Sequence, residues 1–226
     1  MTETAAFSID ALASGAEELG LSLSPDQLNG LVQYAEMLLK WNRVYNLTAI
    51  RDPADVLSHH LLDSLAAVLP LRKQLAAMGL SSARVLDVGS GGGLPGVVLA
   101  IVCPELVVTC VDTVSKKAAF IQQAAIQLPR PVLSNRLHAK HARVESINET
   151  FDVICSRAFA SLADFTAWSR QALRPGGVWM AMKGVIPDGE MASLPSGVEV
   201  FHVEHLNVPA LEAQRCVVWL RDNVSQ

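Results

Sequence analysis

Along the first third of the chain the apolar residues recur at helical spacing, and from Arg84 onward they come in short runs separated by helical segments. Leu28, Leu31, Val32, Ala35, Leu38 and Leu39 follow the three-and-four spacing of one buried helical face. The helix they define starts at Ser24-Pro25-Asp26-Gln27, with a hydroxyl at the N-cap, proline at the first helical position and glutamine two residues on. Its end is predicted near Trp41-Asn42. A second helix is predicted from Asp52-Pro53, with Leu57, Leu61, Leu65 and Val68 on one side, stopping at Pro70 before Leu71. The first dozen residues are small and polar and read as frayed. Strands are then expected over residues 85–88, 106–111 (ending in Asp112), within 131–140, and over 151–155 and 178–182. Helices are expected over 95–102, 115–128 and 162–173, the last stopped by Pro175-Gly176-Gly177. This alternation predicts an α/β fold with a mostly parallel central sheet covered on both faces. Residues 198–203 and 215–220 are expected to pair as an antiparallel C-terminal edge. Residues 1–80 read as an N-terminal helical extension packed on a core formed by 81–226.

At 226 residues and 50% hydrophobic content the chain can bury a sizeable core, as one domain or one domain with an appendage. A net charge of -4 argues weakly against a nucleic-acid partner, but leaves room for a local basic patch. Cys103, Cys110, Cys155 and Cys216 form no Cys-x-x-Cys pair, so neither a zinc site nor a disulfide framework is indicated. His59, His60 and Asp63 share a helix without a further ligand in view, and no metal is expected. The start lacks the features of a signal peptide, and no apolar run reaches the roughly 18 residues of a membrane span. A cytoplasmic protein without membrane contact is the expectation; the sequence favours a monomer without fixing the oligomeric state.

The chemistry concentrates where the first strand meets a run of glycines, Asp87-Val88-Gly89-Ser90-Gly91-Gly92-Gly93-Leu94-Pro95. Glycines let the chain turn sharply and let a ligand approach the main chain. The N-terminus of the following helix is a candidate site for a carboxylate or phosphate. Asp112, ending the second strand roughly twenty residues after the turn, is placed to accept hydrogen bonds from a ribose. Nicotinamide dinucleotides and S-adenosylmethionine both carry a ribose. Gly91-x-Gly93-x-x-Gly96 matches the dinucleotide fingerprint, but in a late register. The earlier register puts the Asp87 carboxylate at the strand end, where it suits the ammonium of a zwitterionic amino acid and would repel a pyrophosphate. The register favours S-adenosylmethionine.

Further blocks carry a family resemblance: Trp41-Asn42, Tyr45-Asn46-Leu47-Thr48, Arg51-Asp52-Pro53, His60-Leu61-Leu62-Asp63-Ser64, Gly93-Leu94-Pro95-Gly96, Ser156-Arg157-Ala158-Phe159-Ala160-Ser161-Leu162 and Lys183-Gly184. In this order they resemble the bacterial small-subunit ribosomal RNA methyltransferase G family, also called glucose-inhibited division protein B. The resemblance implies a class I, Rossmann-like S-adenosylmethionine-dependent methyltransferase fold with an N-terminal helical extension. It implies methyl transfer to N7 of guanine 527, in the 530 loop of 16S rRNA; because the chain is acidic overall, that RNA is expected in an assembled or assembling small subunit and not as a short oligonucleotide. Carried over by position, donor contacts fall on Gly89, Leu94, Val144, Glu145 and Arg157, to which the physical reading adds Asp112. Arg157 is the candidate catalytic residue, where donor and acceptor meet. The chain departs from the family at His59, commonly Arg, and at Ala213-Gln214-Arg215, commonly Gly-Glu-Arg.

Guanine N7 carries an exposed lone pair and needs no deprotonation before it attacks, so no essential general base is expected. Lys40, Arg43, Arg51, Lys116, Lys117, Arg143, Lys183 and Arg215 are candidate RNA-binding cations. Trp41 and Tyr45, interleaved with cations and amides, read either as a surface that stacks on bases or as packing beneath a helix end. Two rivals stand beside the methyltransferase: an NAD-dependent oxidoreductase and a non-catalytic RNA-binding assembly factor.

Overall fold

The computed structural model describes residues 7–223, so part of the segment expected to fray lies outside the described residues. Within it, Ile9–Glu18 forms a first helix, α1, capped by the Ser8 hydroxyl, which accepts from the Ala11 N–H. Small residues hid it: Ala and Gly on its inner face give little hydropathy, yet Leu12, Gly15 and Ala16 are buried. Helix α2, Pro25–Tyr45, carries the expected reciprocal cap between Ser24 and Gln27 and runs a turn further than predicted. The Gln27 amide also donates to the Val102 carbonyl at 3.1 Å, tying α2 to the end of a sheet-covering helix.

After α3, Pro53–Val56, the chain widens into one π-helical stretch, Leu57–Leu62, and returns to α4, Asp63–Leu65. Pro70 does not end a helix. It stands in the first turn of α5, Val68–Ala77, where a missing N–H leaves no bond unmade.

The sheet contains β1 Ala83–Val88, β2 Leu106–Asp112, β3 Leu137–His141, β4 Phe151–Arg157, β5 Leu173–Lys183, β6 Val198–Leu206 and β7 Arg215–Asp222, in the order β3-β2-β1-β4-β5-β7-β6. The β3-β2-β1-β4-β5 run is parallel, and β7 pairs antiparallel with both β5 and β6. The third strand is shorter than predicted. Pro131 lies in a helical turn, α8 (Arg130–Leu133), and Ser134 and Asn135 take left-handed conformations before β3 begins. Conversely, β5 starts at Leu173 and passes through Pro175-Gly176-Gly177, with an irregular pairing against β4 between Phe151 and Val153.

Helices α6 (Gly96–Val102) and α7 (Ser115–Gln127) cover one face of the sheet together with the N-terminal helices, and α9 (Leu162–Ser169) covers the other. Strand β1 serves both faces by alternation: Val85 joins the first cluster, Leu86 and Val88 the second. The first cluster runs without interruption from Leu31, Leu38 and Leu61 into Val97 and Leu99, so the N-terminal helices and sheet share one apolar interior.

The strand order reverses at β1, whose neighbours β2 and β4 lead the chain in opposite directions. That reversal opens a crevice outside the carboxyl ends of β1 and β4. The N-terminal helices reach it through Tyr34, fully buried on α2, whose hydroxyl donates to the Gly92 carbonyl at 2.6 Å. Replacing Tyr34 with Phe removes the donor and leaves that carbonyl unpaired. We expect a loss of about 1–3 kcal/mol in unfolding free energy by denaturant titration, with the fold retained.

Candidate active site

The residues from Gly89 to Leu94 turn through three left-handed glycines, Gly89 (φ 67°), Gly91 (φ 58°) and Gly93 (φ 90°). At Gly89 space matters as much as angle: a Cβ there would lie 2.2 Å from the Phe159 ring. Two carboxylates brace the turn. Asp112 accepts from the Gly91 N–H at 2.9 Å and from the Val114 N–H at 2.8 Å. Asp87, fully buried, accepts from the Gly96 N–H at 2.9 Å through Oδ2, and its Oδ1 has no hydrogen-bond partner.

The Asp87 contact corrects two expectations. The first N–H of α6 is taken by a residue of the protein, so the seven-residue helix offers no free anion site there. Asp87 itself faces the packed interior beside Cys110 and does not line the crevice. The strand-end carboxylate was legible; its direction was not, because β1 is buried on both faces and alternation alone does not say which side holds a ligand.

Two cavities open along the strand ends and share Gly89, Lys117 and Ala158 as walls. One, of about 460 Å³, is lined by Asp112, Val144, Glu145, Arg143, Phe159 and Trp168. The other, of about 540 Å³, is lined by Leu94, Arg157, Lys183 and Arg215 from the core, and by Thr48 and His60 from the N-terminal segment. The structure thus gathers the six residues expected to contact the donor at one crevice, with Asp112, Val144 and Glu145 at one end, Leu94 and Arg157 at the other, and Gly89 between.

Among the candidate cations, Lys117, Arg143, Lys183 and Arg215 line these cavities. Lys40, Arg43 and Arg51 lie in separate depressions along α2 and the loop after it. Trp41 follows the packing alternative, with its ring 5.5 Å from that of Phe120, while Tyr45 covers its outer side at 5.1 Å and is itself 41% exposed.

Sequence reasoning missed Trp168 as a wall. It lies 41% exposed on α9, edge-on to Phe159 at 5.9 Å. A large aromatic on the outer side of an amphipathic helix was the available signal. It also missed the environment of Arg157. That guanidinium donates to Asp63 Oδ2 at 2.6 Å and to the His59 carbonyl at 2.7 Å. Asp63 Oδ1 accepts from Arg215 Nε at 2.8 Å. His59, a departure from the family pattern, contributes through its main chain. Beside them His60 is held down to about 4 by burial and then by the Arg157 charge, so its ring is neutral near neutral pH. Its Nε2 lies 2.8 Å from the Thr48 hydroxyl. Lys183 is pinned by the Ala160 carbonyl and by Glu190, each at 2.9 Å.

The family described as rRNA small subunit methyltransferase G matches residues 27–218. The chain belongs to that family. The ribosomal RNA small subunit methyltransferase G of Acidovorax sp. (strain JS42) is 63% identical over 216 residues, spanning 93% of this chain and 94% of its own length. The protein of the same name from Polaromonas naphthalenivorans is 61% identical over 211 residues, spanning 93% of this chain and 94% of its own. Among solved structures, a SAM-dependent methyltransferase from Leishmania major matches 83% of each chain with a TM-score of 0.55 at 15% identity. The 1,6-didemethyltoxoflavin-N1-methyltransferase of Burkholderia thailandensis, solved with S-adenosylhomocysteine, covers 84% of this chain and 89% of its own at a TM-score of 0.52 and 17% identity. These likenesses establish the class I, Rossmann-like methyltransferase fold, and the family membership bears out the resemblance carried by the motif blocks.

Burial raises the Asp87 carboxyl from its ordinary 3.8 to about 6, against the lowering effect of the Gly96 N–H. Below 3.8 both folded and unfolded chains hold the proton. Between 3.8 and about 6 only the folded chain does, so stability falls as pH rises and the loss is complete above 6. Asp87→Asn cannot ionise. Relative to that variant, the parent should lose on the order of 2 kcal/mol of unfolding free energy between about pH 4 and about pH 7. Urea unfolding at the two pH values reads it, and a flat difference would exclude an ionising Asp87.

Proposed function

We propose that this chain transfers a methyl group from S-adenosylmethionine to N7 of guanine 527 in the 530 loop of 16S rRNA, presented in an assembled or assembling small subunit. The observation that carries this reading is the pair of cavities meeting at Gly89 on the strand-order reversal, one walled by Asp112, Val144 and Trp168 and the other by Arg157, Lys183 and Arg215. The smaller cavity fits an adenosine: the Asp112 carboxylate keeps lone pairs for ribose hydroxyls after its two N–H bonds, and Val144 with Trp168 offers apolar and aromatic wall for a base. Gly89 lets the methionine portion pass without meeting a Cβ. Lys117, which borders both cavities, supplies positive charge where they meet, suited to its carboxylate now that the helix terminus is taken by Asp87.

S-adenosylmethionine supplies an electrophilic sulfonium methyl. The protein's part is to hold the acceptor nitrogen in line with that methyl, and N7 attacks with a lone pair that carries no proton. Arg157 and Arg215 supply N–H donors and positive charge at the acceptor end, suited to phosphate or to a base oxygen. The neutral His60 is hydrogen-bonded to Thr48 and to main chain, and has no proton to remove. The dinucleotide reading is weaker, since a pyrophosphate would require the α6 N–H that Asp87 occupies. An RNA-binding assembly factor that keeps the donor pocket for structure alone would show the same cavities, and methyl transfer itself separates the two readings.

Incubation with labelled S-adenosylmethionine and small subunits lacking the modification, followed by nuclease digestion and mass spectrometry, should yield 7-methylguanine at position 527. Single-turnover rates should show no steep rise with pH of the kind a general base produces between about pH 6 and 8. Donor binding without methyl transfer would favour the assembly factor.

A further inference from the structure

Asp63 lies outside the sheet, on α4 at the end of the π-helical stretch, yet it is 2% exposed and in contact with two arginines from different strands at the same end of the sheet. Arg157 ends β4 and Arg215 begins β7, and these strands are separated in the sheet by β5. Each oxygen of Asp63 takes one guanidinium, at 2.6 Å and 2.8 Å, and the two arginine side chains are 18% and 22% exposed. Two like charges on one wall would repel each other and splay apart. The single carboxylate between them removes that repulsion and leaves a net charge of one.

We propose that Asp63 is a positioning residue for methyl transfer. Resting on the function proposed above, it locks Arg157 and Arg215 into one rigid cationic unit on the wall of the acceptor cavity. Three features of the geometry separate this from a staple between helix and sheet. Asp63 itself borders the cavity with both arginines, so the pairing stands at the site and not beneath it. Arg157 is fixed a second time, by the His59 carbonyl of the π-helical stretch, through the same Nη1 that meets Asp63. Arg215 is likewise fixed twice, through Nη1 to the Gln214 carbonyl at 2.8 Å. The widened helix brings His59 O and Asp63 to one guanidinium, which gives that irregularity a use at the site.

The charge count bears on the reaction as well. Methylation at N7 leaves a cationic base. Two uncompensated guanidiniums would oppose that charge, whereas the triad with Asp63 carries only one positive charge and still meets a phosphate.

The test compares the full-length parent with Asp63→Asn, which keeps size and one acceptor but lacks the charge. Thermal unfolding, donor affinity, RNA affinity and single-turnover methylation are read for both. With the parent active, the expected result is a folded variant with the methylation rate at saturating donor lowered about 100-fold, the scale of a misplaced reacting group and more than any loss of donor affinity accounts for. A folded variant with a rate within about threefold of the parent overturns the proposal, as does a rate loss accounted for by donor affinity alone. If Asp63→Asn does not fold, Arg157→Lys, Arg215→Lys and the double variant are compared instead. One rigid unit requires the double variant to lose no more RNA affinity than the worse single, while additive losses overturn it. A parent that binds RNA without methylating it defeats the proposed function, and the arginine cycle then decides the role of Asp63 on affinity alone.

Discussion

The crevice depends on a turn that has no slack. Between β1 and α6 the chain makes three left-handed turns in five residues, and its polar groups are held from three sides: Asp112 on β2 takes the Gly91 N–H, Asp87 on β1 takes the Gly96 N–H, and Tyr34 on α2 donates to the Gly92 carbonyl. Side chains close the remaining space. Added Cβ atoms would lie 2.8 Å from Leu38 at Gly92 and 2.5 Å from Cys110 Sγ at Gly96. Glycine is therefore needed here as much for absent volume as for backbone angle. One consequence reaches beyond the turn. Because Tyr34 and Leu38 belong to the N-terminal helices, those helices help set the shape of the site and do more than add surface to it.

The same helices resolve a conflict of charge. An acidic chain with a net charge of -4 is poorly suited to RNA on average, yet cations line both cavities at the strand ends. Several are not free point charges. Arg157 and Arg215 share Asp63, and Lys183 is held by Glu190. Paired and half-buried cations are weaker attractors at long range than solvated ones, but they are fixed in direction, and direction is what an in-line transfer needs. Acidic partners inside the basic patch account for part of the low overall pI without weakening the geometry of the site.

Much of this arrangement was legible in the chain. The Ser24 to Gln27 cap, the alternation from Arg84 onward and the glycine run placed α2, the parallel sheet and the ligand crevice close to where they lie. Three failures have separate physical causes. Helix α1 was invisible because Ala and Gly bury area without marking a period. Pro70 was read as a stop because proline is ambiguous between ending one helix and opening the next, and the two-residue break at Ala66-Ala67 carries no Gly or Pro to decide it. The Asp63 pairing spans 94 residues to Arg157 and 152 to Arg215, and no local pattern reports a contact of that separation. The motif blocks placed these residues within a family without showing that they touch.

Asp87 and Asp112 end adjacent parallel strands, and the sheet sets Asp87 opposite Cys110, two residues before Asp112. That offset puts one carboxylate inside the packed layer and the other at its rim. Asp87 meets desolvation with a single N–H bond and an orphaned oxygen, and its carboxyl is pushed up in consequence. Asp112 receives two N–H bonds and remains 7% exposed at the cavity wall, where a ribose can share it. A one-strand step in register thus separates two residues of identical chemistry into a buried brace and a brace that also faces the cavity. The motif spacing conveys that both carboxylates are present; only the sheet decides which of them stands at the cavity wall.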